Sequence, residues 1–317
     1  MKNVVRVLLF ISLLVNHSVA GNLANIVGAG YLPAGTPINA APGQVVTVFV
    51  TSLAAPAQPI SATTVPLPYK LGGISALLLP GPVPVPIMAV SSIDPCAFNV
   101  PVPQLSCGTL VGVTVQIPFE LIVDSGTEAP PTLSYLTISD DSGNSGSVRL
   151  FAGPDQIHVI GSQNRLLGGG IVTHADGTVI DYAHPAKPGE EVVMYAFGLG
   201  KTAPAVATGA SSPSPAVSAL GFRLTFDYRP NAMPAPGLGQ NPPSPAQTPL
   251  FAGLTPGFVG LYQINFRIPS PPGPVLPCVG SVGSGANPFN AVLSNLTVTL
   301  VGFSSFDGAS ICVAAGS

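Results

Sequence analysis

The sequence predicts an all-β protein built from two tandem β-sandwiches that arose by internal duplication. Short segments alternate apolar with polar residues along the chain, and prolines or glycines interrupt any helical periodicity. Five segments of the first half also recur in the same order in the second half. The predicted organisation is a signal peptide at 1–20, a first sandwich at 21–152, a β-hairpin linker at 153–186 and a second sandwich at 187–317.

The N-terminal segment has the pattern of a cleaved export signal. Lys2 and Arg6 form a short positive region before a nine-residue, predominantly apolar run at Val7–Val15, and Ser18-Val19-Ala20 supplies small residues that a signal peptidase accepts. As a helix the run would extend about 14 Å, roughly half the hydrocarbon core of a bilayer, which disfavours a membrane anchor. We therefore expect a mature chain from Gly21 without a membrane span, either secreted or held in the periplasm or at the cell surface.

Charged residues are scarce and evenly scattered. They make up 7% of the chain, and the formal net charge is −3 at pH 7. Nucleic acids and anionic membrane surfaces attract concentrated positive charge, so neither is an expected partner. The 36 glycines and 37 prolines lie between segments rich in Val, Ile, Leu and Phe, which favours folded β-structure over disorder.

The internal repeat consists of five segment pairs, each containing a strand-like alternation. They are Ala41–Leu53 with Lys187–Leu199, Leu71–Leu79 with Leu220–Tyr228, Pro86–Asp94 with Pro249–Gly257, Leu110–Pro118 with Leu261–Pro269, and Leu133–Leu150 with Leu293–Ile311.

Two of these segments show most clearly which side chains should be buried. The predicted inward residues are Val111, Val113, Val115 and Ile117 in the first half, and Tyr262, Ile264, Phe266 and Ile268 in the second. One buried and one solvated face is typical of antiparallel sheets that cover a core on one side. Gln116 and Arg267 fall on the opposite face and are expected to be solvated.

The connections carry the turn signals. Asp176-Gly177 in the 153–186 segment is a strong two-residue hairpin signal. The Pro-rich stretches Ala54–Pro68, Ala203–Ala216 and Pro230–Thr248 are interpreted as extended surface loops that could present a binding surface.

The ordered motifs of the second half resemble a known family. An ADGT turn, an HPAKPG turn, a strand ending in GLGKTAP and the block TPGFVGLYQINFRIP follow one another, with key positions at Gly198, Gly200, Thr202, Pro204, Pro256, Gly257, Gly260, Gln263, Asn265 and Pro269. This series resembles the uncharacterised C-terminal domain of many secreted proteins of Solibacter-type acidobacteria. The resemblance implies a secreted immunoglobulin-like β module without catalytic residues or an established ligand. The chain departs from the family in its Pro-rich insertions, its cysteines and Gly112.

Four cysteines are expected to be oxidised in an exported protein. We favour the pairs Cys96–Cys107 and Cys278–Cys312, because each pair then lies within one half. A zinc site is the alternative, but the chain has no Cys-x-x-Cys motif and no histidine close in sequence to a cysteine.

Two clusters of polar residues are candidates for metal sites. His174, Asp176, Asp181 and His184 surround the predicted hairpin, where two imidazoles and a carboxylate could converge on a metal ion. Asp140, Asp141 and Asn144 lie in a segment with the composition of a calcium loop. We favour turn-forming roles for both clusters, and we expect no cofactor.

These observations predict a non-enzymatic extracellular protein that binds a protein or polysaccharide partner for adhesion or envelope interaction. One alternative is a secreted metal-dependent hydrolase that uses the His174–His184 hairpin. The other is a purely structural spacer.

Peptide mapping under non-reducing conditions tests the predicted disulfides. We expect linked peptides that contain Cys96 with Cys107 and Cys278 with Cys312. A linked peptide containing Cys96 and Cys278 would contradict the assignment of one pair to each half.

Overall fold

The computed structural model describes residues 24–30, 38–94, 110–123, 134–161, 170–232, 245–279 and 293–314. These residues form strands, turns and loops without any helix, so the predicted all-β class is confirmed. Accordingly, the described part of the chain has no helix of the length and hydropathy needed to cross a membrane. The predicted signal peptide, Cys96 and Cys107 lie outside the described residues.

The first half forms two sheets around one core. Its strands are β1 (Asn25–Gly30), β2 (Ile38–Ala40), β3 (Val45–Thr51), β4 (Ile60–Ser61), β5 (Lys70–Leu71), β6 (Ile74–Leu79), β7 (Val83–Pro84), β8 (Ile87–Ile93), β9 (Leu110–Gln116), β10 (Ser134–Asp140) and β11 (Ser145–Ala152). One sheet has the order β1-β3-β9-β8-β4 and the other β2-β11-β10-β6-β5, with β7 beside β6. Strand β2 is parallel to β11, and the other pairs are antiparallel.

The second half repeats this arrangement around a second core. Its strands are β12 (His158–Val159), β13 (Val172–Thr173), β14 (Glu191–Phe197), β15 (Thr202–Ala203), β16 (Ala216–Ser218), β17 (Arg223–Asp227), β18 (Phe251–Leu254), β19 (Tyr262–Arg267), β20 (Leu296–Val301) and β21 (Phe306–Ile311). The larger sheet has the order β12-β14-β19-β18-β16-β15, with β13 beside β14, and the smaller has the order β17-β20-β21. Separate clusters of buried apolar side chains fill the two halves, which is consistent with β-sandwiches.

The predicted inward faces are confirmed. All eight side chains expected in the core are buried: Val111, Val113, Val115, Ile117, Tyr262, Ile264, Phe266 and Ile268. On the opposite face Arg267 is exposed, as expected. The prediction that Gln116 is solvated is wrong, because its side chain is fully buried by the second half.

The two halves share strand order, and the register of β3 with β9 is that of β14 with β19. The order β3-β9-β8 in the first half matches β14-β19-β18 in the second, and β6-β10-β11 matches β17-β20-β21. Val45 lies opposite Gln116 in β3 and β9, while Glu191 lies opposite Arg267 in β14 and β19. The segment pairs Ala41–Leu53 with Lys187–Leu199 and Leu110–Pro118 with Leu261–Pro269 therefore match residue by residue.

Two segment pairs are displaced by a single position. In Leu71–Leu79 with Leu220–Tyr228, exposed Leu77 corresponds to buried Phe226, so inward and outward positions are exchanged.

The other displaced pair is Pro86–Asp94 with Pro249–Gly257. Ala89 of β8 lies opposite Thr114, whereas Phe251 of β18 lies opposite Asn265, which corresponds to Thr114. The segment pair Pro86–Asp94 with Pro249–Gly257 predicts instead that Ala89 corresponds to Ala252. The physical reason is a register shift between Ile87 and Ala89, because a β-bulge adds one residue to β8.

The described residues of the 153–186 segment, 153–161 and 170–186, contribute to the second sheet and its core. Strands β12 and β13 both pair with β14, and an isolated bridge between Thr173 and Val179 closes the predicted hairpin around Asp176-Gly177. The core of the second half includes five apolar residues of this segment: Ile157, Val159, Val172, Ile180 and Ala186. The segment therefore covers the edge of β14 that would otherwise have unpaired backbone groups.

Direct hydrogen bonds join the two halves. The Gly209 N–H donates to Oε1 of Gln116 (2.6 Å), and the Leu67 N–H donates to the Gly209 carbonyl (2.8 Å). The Phe119 N–H donates to Oγ1 of Thr208 (2.9 Å). Two of the predicted Pro-rich loops, at 54–68 and 203–216, thus meet between the halves. Residues 233–244 of the third lie outside the described residues.

The contact between the halves predicts a stability effect for Gln116→Ala. This change should lower the free energy of unfolding by about 1–3 kcal/mol, because the buried Gly209 N–H loses its acceptor. Urea denaturation measures the change. Gln58→Ala, at an exposed position, is the control and should change stability by less than about 0.5 kcal/mol. Equal stability of wild type and Gln116→Ala would contradict this role.

Candidate functional site

The predicted acid–histidine hairpin begins directly after β13. Oδ1 of Asp176 accepts the Thr178 N–H (2.9 Å), and the Gly177 N–H donates to the His174 carbonyl (3.0 Å). Gly177 has a φ of +86°, a conformation that glycine adopts without steric cost. Asp176 therefore stabilises the turn.

Both ring nitrogens of His174 are hydrogen bonded. Nδ1 lies 2.5 Å from Oε1 of Glu190, and Nε2 lies 3.2 Å from the His184 carbonyl oxygen. The second carboxylate oxygen of Glu190 accepts the Lys187 N–H (2.8 Å). The sequence pattern does not identify Glu190, because it precedes β14 in a Pro-Gly turn and gives no sign that it reaches His174.

The interaction changes the pKa of both partners. The hydrogen bond to Glu190 raises the pKa of His174, and burial opposes this rise. Burial also opposes ionisation of Glu190, but the hydrogen bonds from His174 and the Lys187 N–H outweigh it and lower the pKa of Glu190. The geometry thus favours an imidazolium–carboxylate pair that pins the hairpin to the Pro-Gly turn.

His184 has a different partner from His174. Oδ1 of Asp181 accepts the backbone N–H groups of His184 (2.7 Å) and Ala183 (2.9 Å), and it lies 3.2 Å from Nδ1 of His184. The backbone hydrogen bond from His184 is the main cause of a lowered pKa at Asp181. Among the residues that the structure describes, no three His, Cys, Asp or Glu side chains form a group that could hold a metal ion.

The calcium-like segment forms the turn between β10 and β11. Oδ1 of Asp140 accepts the N–H groups of Ser142 and Asn144 (both 3.0 Å). Oδ2 accepts hydrogen bonds from Nδ2 of Asn144 (2.8 Å) and from the Ala54 N–H (3.0 Å). Burial opposes ionisation, but these bonds outweigh it and lower the pKa of Asp140. Asp141 instead pairs with Nζ of Lys70 (2.5 Å). Asp140 therefore stabilises the turn and also ties it to Ala54.

A different surface, which sequence reasoning missed, is open to solvent in the first half. The outward side chains of β6, β10 and β11 form what we call the open face. Because each strand alternates buried with more exposed residues, these side chains lie in rows across the sheet. The rows are Leu79, Tyr135 and Arg149; Leu77, Thr137 and Ser147; and Ser75, Ser139 and Ser145.

Aromatic rings and one cation occupy one end of the open face. Tyr135 is 38% exposed, and Phe151, two residues beyond Arg149 on β11, is 44% exposed. The Arg149 guanidinium lies 4.8 Å from the centre of the Phe151 ring, within the range of a cation–π interaction. At the other end, hydroxyl pairs link Thr137 with Ser147 (2.6 Å) and Ser75 with Ser139 (3.0 Å).

The corresponding face of the second half is partly covered. Thr297, which corresponds to Thr137, is 2% exposed, and its Oγ1 donates to the Ala232 carbonyl (2.6 Å). Thr299 of the same strand is also buried. The backbone at Ala232 thus covers Thr297 in the second half, whereas the corresponding Thr137 lies on the open face of the first half.

Two buried polar side chains are structural. The Asp155 carboxylate accepts hydrogen bonds from the Ser304 N–H (3.1 Å) and from Oγ of Ser305 (2.8 Å). These bonds tie the segment before β12 to the turn between β20 and β21. Asn295, part of the sequon Asn295-Leu296-Thr297, is buried and donates to the Val313 carbonyl (2.7 Å). Its amide is therefore not accessible for modification in the folded protein.

The predicted disulfide of the second half is present. Cys278 and Cys312 are bonded, with their Cα atoms 5.7 Å apart. This bond is compatible with an oxidising, extracellular location. Cys96 and Cys107 lie outside the described residues, so their pairing stays a prediction.

No protein-family model matches this chain. The curated proteins likewise contain no match. The resemblance to the acidobacterial domain therefore stays a prediction, and the candidate site is defined by its chemistry alone.

The His174–Glu190 pair predicts a pH dependence. The contribution of His174 to stability is present below its ordinary pKa of 6.5 and is lost as the pH rises through its raised pKa. The contribution of Glu190 is present above 4.5 and is lost as the pH falls through its lowered pKa. Both contributions are therefore present together between pH 4.5 and 6.5.

NMR titration of the His174 ring measures this effect. The wild-type pKa should exceed 6.5 and should fall in Glu190→Gln, which keeps an acceptor for the Lys187 N–H. Asp141→Asn, which removes the charge that pairs with Lys70 in the first half, is the control and should leave His174 unchanged. The destabilisation caused by Glu190→Gln should be larger near pH 6 than near pH 9. An unchanged His174 titration in Glu190→Gln would contradict the pairing.

Proposed function

We propose that the protein is a secreted, non-enzymatic binding module of two immunoglobulin-like sandwiches derived from one duplicated unit. Its function is to attach to an extracellular or envelope partner. The observation that carries this proposal is the open face, where exposed aromatic and hydroxyl side chains lie on a rigid sheet.

The strand order supports the immunoglobulin-like assignment. Constant-type immunoglobulin domains have one sheet of order A-B-E-D and another that contains C, F and G. The orders β1-β3-β9-β8 and β6-β10-β11 match that scheme in the first half. In the second half β14-β19-β18 and β17-β20-β21 correspond to B-E-D and C-F-G.

The details of the strand ends support a duplication. In each half the glycine N–H of the Pro-Gly turn donates to the carbonyl of the isoleucine in the Ile-Pro strand end. Gln44 caps the Ala41 N–H (2.9 Å) in the first half, as Glu190 caps the Lys187 N–H in the second. In both halves a segment before the turn pairs in parallel near the end of the chain segment that forms the last strand. In the first half β2 pairs with β11, and in the second half a bridge joins Ala186 to Val313, which follows β21.

Secretion and family membership belong to the same proposal. The N-terminal charge and hydropathy pattern and the Cys278–Cys312 disulfide support export. The ordered motifs of the second half support membership in the acidobacterial domain family. The open face favours binding over a purely structural spacer, because a spacer does not require exposed aromatic side chains.

Retention on cell-derived fractions tests the proposed function. We expect purified protein to be retained by envelope or secreted material from the producing cell. Retention should be lost in the double variant Tyr135→Ala, Phe151→Ala and kept in the double variant His174→Ala, His184→Ala. Absence of retention on every fraction would overturn the binding function. Hydrolysis of a component that requires the two histidines would instead support the enzyme alternative.

A further inference from the structure

We propose that the open face binds a neutral, hydroxyl-rich polysaccharide. This inference rests on the proposed binding function and specifies its site and ligand class. It depends on the shape of the face, the chemistry of its side chains, and its charge.

The shape of the open face suits an extended polymer. The three rows lie across three adjacent antiparallel strands, and no strand crosses above them among the described residues. Neighbouring strands are about 4.8 Å apart, and successive outward residues on a strand are about 6.7 Å apart. The face therefore offers a regular array of contacts along a chain and not one deep pocket for a small molecule.

The aromatic end of the face can stack against sugar rings. Tyr135 lies directly opposite Arg149, and Phe151 lies diagonally across from Tyr135 at about 7–8 Å. The C–H faces of pyranose rings are apolar and pack on aromatic rings, which combine large contact area with defined geometry. Stacking on Phe151 does not use the N–H donors of Arg149, so they stay free for ligand oxygens.

The hydroxyl rows match the alcohol groups of a sugar polymer. A hydroxyl group has one donor and two acceptor positions, so each pair on the face keeps one O–H donor and several acceptor positions. This applies to Thr137 with Ser147 and to Ser75 with Ser139. Sugar hydroxyls likewise donate and accept. A protein partner would favour a continuous apolar centre, whereas here Ser and Thr interrupt the exposed apolar side chains.

The charge of the face favours a neutral ligand over an acidic one. Arg149 is the one basic side chain in the three rows of the open face, and Lys70 at the neighbouring edge is paired with Asp141. The protein as a whole carries a formal charge of −3. An anionic polysaccharide would therefore meet one cation within a field of net negative charge.

Affinity electrophoresis of the full chain tests this inference. Gels contain dextran, yeast mannan, laminarin or galactomannan as neutral probes, or alginate as an anionic probe. We expect retardation by at least one neutral polysaccharide and a dissociation constant about tenfold higher in Tyr135→Ala and in Phe151→Ala, because each loses a stacking ring. Phe303→Ala is the matched control, since Phe303 is 82% exposed outside this face, and it should bind as wild type does.

One further variant keeps the test decisive if an aromatic substitution disturbs folding. Ser147→Arg adds bulk to an exposed position without touching the core and should also weaken binding. Retardation by alginate alone, or by neutral probes without any effect of these variants, would overturn the inference. Absence of retardation by all five probes would overturn it as well. Retention of the protein by a cell fraction through a protein partner would preserve the proposed function while overturning the polysaccharide assignment.

Discussion

Hydrogen bonds between a Pro-Gly turn and the end of the facing strand determine the register of each half. The Gly43 N–H donates to the Ile117 carbonyl (2.9 Å), and the Gly189 N–H donates to the Ile268 carbonyl (2.7 Å). Both glycines have positive φ angles, +75° and +81°, which this turn requires. Because side chains alternate with period two, a slip of one residue would turn the core-facing residues outward. Both cores therefore depend on this turn.

The same scaffold carries different chemistry in its two halves. The capping position of the turn is Gln44 in the first half and Glu190 in the second, where the added charge pairs with His174. Likewise, Thr137 lies on an open surface, but Thr297 is covered and bonded to the Ala232 carbonyl. Small changes at equivalent positions thus separate a half suited to presenting a surface from a half stabilised by its own loops.

Sequence reasoning was sufficient where the signal is local. Alternation identified the inward faces of β9 and β19, because a period of two is a property of consecutive residues. It could not determine what covers an outward face. Gln116 is buried by Gly209, 93 residues away, and Asp155 is held by Ser304, 149 residues away. The open face was missed for the same reason, since its rows form only when β6, β10 and β11 lie side by side.

Amide hydrogen exchange at single-residue resolution tests the equivalence of the two halves most directly. We expect slow exchange for the N–H groups of Gly43, Ile117, Gly189 and Ile268, which close the same ring of hydrogen bonds in each half. Protection of all four amides would support one repeated unit with a common register. If the two amides of either half, Gly43 with Ile117 or Gly189 with Ile268, exchanged as fast as in an unstructured chain, the equivalence of the halves would be contradicted.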